Sequence, residues 1–155
     1  MYRIVHDSLS RQERALALLR GLLEREYEML VRRNTDGVAA EEFSIQELIR
    51  QLAVEKQLVI RTLGGVRVRE FAAGRTEDEG AELMRLFGLI DAAEQHTSRQ
   101  ASRNAQLSLA LLDQSARNLQ ELKRYAVPER ATVYGRRGRM ARPLHTEAAL
   151  LSGRL

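Results

Sequence analysis

The chain contains no cysteine and no tryptophan, and aromatic residues make up only 5% of its 155 positions. Without cysteine there is no disulfide framework and no thiolate metal site, a composition compatible with the cytosol. The scarcity of aromatics leaves a core of leucine, alanine, isoleucine and valine, side chains that interdigitate along helix–helix seams. Long apolar runs are missing too. Charges interrupt every candidate membrane span, and Met1-Tyr2-Arg3-Ile4-Val5-His6-Asp7 lacks the apolar segment of a signal peptide. A soluble, cytoplasmic protein with no stable membrane insertion is expected.

Catalytic constellations are equally absent. His6, His96 and His145 lie far apart, and none has a second candidate ligand at helical spacing. For His96, a surface or interhelical hydrogen bond is expected. Gly64-Gly65 does not belong to a strand–loop–helix unit that would cradle phosphate. Most acidic residues sit three or four positions from arginine or lysine, as Glu24 and Glu28 do beside Arg20 and Arg32, the pattern of a solvated helix face. No enzyme and no cofactor are expected.

The charge is unevenly placed. Residues 128–155 carry six arginines (Arg130, Arg136, Arg137, Arg139, Arg142, Arg154) against Glu129 and Glu147, a balance of +4 that equals the net charge of the whole chain. The preceding residues are neutral. A pI near 9.9 often accompanies nucleic-acid binding, but here the excess sits in a terminal segment whose one aromatic, Tyr134, supplies no series of rings among the arginines to stack on bases. A solubilising or protein-docking tail is the expectation, with no nucleic acid as partner.

The remaining chain has the periodicity of long helices. Ser10 and Glu13 form a capping-box pattern, after which Leu16, Leu19, Leu23, Tyr27 and Leu30 recur at steps of three and four. Asn34-Thr35-Asp36-Gly37 reads as the stop, with Gly37 suited to a left-handed cap. Ser44 and Glu47 repeat the capping box, with Phe43 placed to staple onto Leu48, and Ile45, Leu48, Leu52, Val59 and Leu63 carry a second stripe. Gly64-Gly65 is its weak point, beyond which Val66, Val68 and Phe71 can continue it. A third helix opens at Thr76-Glu77-Asp78-Glu79 and meets no stop before Val127-Pro128. One heptad phase of this helix holds Leu83, Ile90, Thr97, Asn104, Leu111, Asn118 and Tyr125. Two readings of its polar members stand: they sit in the seam and set register, or the seam rotates and they face water. The spacing thus predicts an all-α body over residues 1–127, with helices at roughly 10–34, 44–73 and 77–127, packed as an antiparallel bundle or extended hairpin of three long helices. A flexible basic tail, residues 128–155, is expected to follow.

Two stretches carry a family resemblance. The first is Val54-Glu55-Lys56-Gln57-Leu58-Val59-Ile60-Arg61-Thr62-Leu63. The second runs from Ser102-Arg103-Asn104-Ala105-Gln106 through Leu111-Leu112 and Asn118-Leu119-Gln120-Glu121-Leu122-Lys123 to Thr132-Val133-Tyr134-Gly135. In order and spacing these resemble the FlgN family, bacterial flagellar type III export chaperones for hook–filament junction (hook-associated) proteins. The resemblance implies binding to the C-terminal helical segments of those proteins, protection from premature assembly, and delivery to the export gate. Carried over by position, it makes Asn118, Leu119, Leu122 and Tyr125 candidates for client contact. Tyr134 becomes the candidate for docking to the cytoplasmic domain of the export gate. Leu144, Leu150 and Leu151 are added on physical grounds, as apolar residues in a polar tail that can fold as a short helix against a partner. Leu119 and Leu122 also admit a plainer reading as bundle core, and the tail leucines as incidental. Gly64-Gly65 interrupts a helix that usually continues in this family, and Arg136-Arg137-Gly138-Arg139 is unusually basic. Both leave open which clients are bound and whether the tail also touches acidic lipid or the export ATPase. Outside the resemblance, a coiled-coil scaffold and a basic-tail binder of nucleic acid or membrane surface remain as alternatives.

Overall fold

A computed structural model describes residues 1–126, so Tyr134, Leu144, Leu150, Leu151 and the basic segment lie outside the described residues. The described residues form four helices and no strand: α1 (Tyr2–Val31), α2 (Thr35–Leu63), α3 (Val68–Ala73) and α4 (Glu77–Ala126). The described residues fall into two units, Met1–Ser115 and a second that begins at Ala116.

The helices start earlier than the capping boxes suggest, and there are four rather than three. Ser10 lies inside α1, because the apolar stripe extends upstream of it through Leu9 and the fully buried Val5. Burying two such side chains contributes roughly 1.5–3 kcal/mol each, against about 1 kcal/mol for a cap. Ser44 is likewise interior to α2, and Phe43 is exposed, so no staple forms there. The true cap is Asn34, whose Oδ1 accepts from the Gly37 amide at 3.0 Å. The left-handed residue of this turn is Arg33 (φ 56°), not Gly37. Gly37 serves a different need: a Cβ there would lie 2.6 Å from Asn34 Nδ2 and 2.8 Å from Met29 Sδ.

At its other end α2 stops at Leu63. Gly64 and Gly65 take φ values of 60° and 94°, a left-handed pair that side chains resist, and the Gly64 amide closes onto Ile60 and Arg61. The expected continuation is instead the separate six-residue α3, which buries Phe71 and Ala72. Thr76 then opens α4 as expected, its Oγ1 accepting from the Glu79 amide at 3.4 Å with Glu77, Asp78 and Glu79 in the first turn.

Within Met1–Ser115, cross-helix contacts set the directions. Ser8 meets Glu55 and Arg25 meets Glu41, so α1 and α2 run oppositely. His6 meets Glu82, Leu23 meets Asn104, and Arg33 meets Gln114, so α4 runs alongside α1 in the same sense. The apolar core gathers Val5, Leu9, Leu52, Val59, Phe71, Leu83, Leu86 and Ile90, among others.

A polar knot ties α1 to α2. Arg11 donates to Glu55 through Nε at 2.6 Å and Nη2 at 2.9 Å, and the buried Ser8 hydroxyl donates to Glu55 Oε2 at 2.6 Å. The Arg11 bonds, aided by Ser8, hold the Glu55 carboxyl below its ordinary value of 4.5. Because the folded-state pKa lies below that of the unfolded chain, its contribution is complete above the unfolded value and fades as pH falls through the lowered folded value. Glu55→Gln is therefore expected to cost about 1 kcal/mol at neutral pH, allowing for the half-exposed Arg11. Urea titrations of both proteins across pH 7 to 3 should show the gap closing in acid. A gap that persists at pH 3 would refute the electrostatic origin.

Candidate functional site

Above the apolar core the α4 seam changes character. Thr97, Gln100 and Asn104 are buried, which resolves the heptad question for Thr97 and Asn104 in favour of the seam. Asn104 Nδ2 donates to the Leu23 carbonyl at 2.8 Å and to Glu26 Oε2 at 2.6 Å, while Gln100 Nε2 donates to Asn104 Oδ1 at 2.9 Å. Thr97 returns its hydroxyl proton to the Ala93 carbonyl at 3.0 Å. A buried amide finds these partners in only one alignment of α4 on α1, so the layer sets register.

Beside this layer α2 and α4 draw apart. A groove of about 740 Å³ opens between them, floored by Leu16, Leu19 and Leu23 of α1. Ile49 and Ala53 form one wall and Ala101 and Ala105 the other, and all four are exposed. The Lys56–Glu94 ion pair, 2.7 Å long, crosses one end. At Glu42 and Ser108 the groove meets a second apolar dip of about 370 Å³, lined by Met29, Leu30, Val38, Leu111 and Leu112. Together the walls run from Lys56 back to Thr35 on α2 and from Glu94 to Ser115 on α4. At 1.5 Å per residue each wall is about 32 Å long, some six turns of helix.

Three carboxylates, from Glu26, Glu42 and Glu94, line the larger groove against the single ammonium of Lys56. Glu42 Oε1 accepts from Gln46 at 2.7 Å and remains exposed on the rim. The arrangement suits an amphipathic helix, which would cover the apolar floor and keep a polar face in water. Among the described residues no cluster of histidine, aspartate and glutamate is placed to hold a metal ion. His96 departs from expectation, since its buried Nδ1 has no hydrogen-bond partner.

Asn118, Leu119, Leu122 and Tyr125 all lie on the last turns of α4, in the unit that begins at Ala116, and all four are exposed. Leu119 is 53% and Leu122 64% exposed, so neither is bundle core. Asn118 and Tyr125 repeat the heptad phase of Leu83, Ile90, Thr97 and Asn104 without being covered. The groove walls escaped sequence reasoning. The signal was present as small residues at Ser98, Ala101, Ala105 and Ser108, spaced three and four apart beside the main seam.

An all-helical body with an uncovered apolar seam offers a surface along which another helix can lie. The model of the FlgN protein family matches residues 1–142, and the chain belongs to that family, which implies a flagellar export chaperone. Comparison with curated proteins and with solved structures gives no match. No helix among the described residues is long and apolar enough to cross a membrane.

Proposed function

We propose that the protein is a cytoplasmic chaperone of bacterial flagellar type III export that binds the C-terminal helical segments of hook–filament junction proteins. It prevents their premature assembly and delivers them to the export gate. The observation that carries this reading is the open apolar groove between α2 and α4, in a chain of the FlgN family. A junction-protein terminus that would polymerise in the cytosol is hidden when laid in that groove, with no need of ATP. Asn118, Leu119, Leu122 and Tyr125, in the unit that begins at Ala116, contact the client as well. Tyr134 docks to the cytoplasmic domain of the gate, and Leu144, Leu150 and Leu151 add a short tethered contact at high local concentration. Of the polar heptad residues on which the scaffold alternative rests, Asn104 spends its amide on Leu23 and Glu26 of its own chain, which counts against that alternative, while Asn118 is exposed.

Calorimetry of the full chain with the C-terminal segments of its own organism's junction proteins tests the proposal. One-to-one binding at micromolar affinity or tighter is expected. Tyr134→Ala should leave that binding intact and impair capture by the gate domain. Absence of binding to every junction segment would sink the reading, and loss of client binding in the tyrosine variant would sink the division of labour.

A further inference from the structure

We infer that the helix received by the α2–α4 groove is cationic, with lysine or arginine flanking its apolar stripe so as to meet Glu26 and Glu42. The inference rests on the chaperone reading and adds to it the chemistry of the partner. The floor of Leu16, Leu19 and Leu23 calls for an apolar stripe, and the wall length calls for roughly five to six helical turns. Charge selects the flanks. In the larger groove Lys56 is already joined to Glu94, which leaves Glu26 and Glu42 as the uncompensated charges. Glu26 is held in place by the Asn104 amide at 2.6 Å, and Glu42 by the Gln46 amide at 2.7 Å. Among the described residues neither has a cationic partner within ion-pair distance, whereas the neighbouring Glu41 is bound by Arg25 at 2.9 Å. Among the described residues Arg33 is the one cation of the adjoining dip; its Nη2 donates to the Gln114 amide oxygen at 2.7 Å rather than to Glu42, and the two linings together still hold three carboxylates against two cations. An incoming anionic helix would bring like charge against two fixed carboxylates, which disfavours it as strongly as the correct charge favours binding.

The probes are two synthetic 20-residue helices with the same leucine stripe, one flanked by lysines and the other by glutamates, titrated into the full chain by fluorescence anisotropy. The lysine peptide is expected to bind at least about tenfold tighter, a gap that narrows with salt. Glu42→Lys, on an exposed rim position, should close most of that gap while leaving the thermal midpoint unchanged, and Glu26→Gln should weaken the lysine peptide in the same direction. Equal binding of the two peptides, preference for the glutamate peptide, or failure of both to bind would each overturn the inference. A dimer by sedimentation that excludes both peptides would do so as well, by assigning the groove to a second copy. Junction segments that bind but ignore Glu42→Lys would overturn this inference and leave the chaperone reading standing. A lysine peptide that binds where no junction segment does would have the opposite consequence.

Discussion

Leu83→Ala is expected to lower the unfolding free energy by about 3–5 kcal/mol. Leu83 is completely buried in the first turns of α4, within a core that also takes in Val5, Leu9, Phe71 and Leu86. Those neighbours sit on different helices, so the vacated volume cannot be refilled by one side chain changing rotamer, and the cavity term adds to the lost transfer energy. The polar layer one level up makes the loss harder to absorb. Asn104, braced by Gln100, fixes the alignment of α4 on α1 through Leu23 and Glu26 and keeps α4 from sliding to close the gap. Urea denaturation measures the effect, with Leu112→Ala as the control. Leu112 is 64% exposed, and its truncation should change stability by no more than about 0.5 kcal/mol. A Leu83 variant within about 1 kcal/mol of the parent would mean that α4 is not anchored where its first turns place it.

Ala105→Arg is expected to reduce affinity for junction-protein segments about a hundredfold without changing the thermal midpoint. Ala105 is exposed on the α4 wall of the groove, so a longer side chain enters open space rather than the core. Its guanidinium would lie among Glu26, Glu42 and the apolar floor, occupying the volume of the client and satisfying the carboxylates meant for it. A hundredfold loss corresponds to about 2.7 kcal/mol, the scale of one central contact in a helix-in-groove interface. Calorimetry on the folded variant gives the number. Undiminished affinity would move the client off the groove and onto Leu119 and Leu122, and Leu122→Ser would then be the variant that fails.

The long helices were legible because a leucine stripe such as Leu16, Leu19, Leu23 and Leu30 has one physical outcome. Their starts were not. Capping boxes at Ser10 and Ser44 are local signals worth about 1 kcal/mol, and a cap is overridden when burial upstream contributes more, as with Val5 and Leu9. Gly64-Gly65 was recognised as a weak point, but only backbone geometry distinguishes a kink from a stop, and two successive positive φ values make it a stop. The polar heptad residues were ambiguous because the sequence places Asn104 and Asn118 in the same phase, while one is covered by α1 and the other is exposed. The groove depends on how far two helices separate, a tertiary distance that no periodicity encodes.

The turn joining α1 to α2 is only three residues long, and it carries its own cap in Asn34. The ion pair across that hairpin, between Arg25 and Glu41, spans only 16 residues. The hydrogen bonds that fasten α4 onto α1 join residues 78 to 81 positions apart. Closing the longer loop carries the greater entropy cost, so the hairpin forms early and α4 arrives late. The groove has only its α2 wall until that last arrival. The α4 wall is thus the last part of the groove to form, and the cradle is complete only when the most distant contacts of the fold are in place.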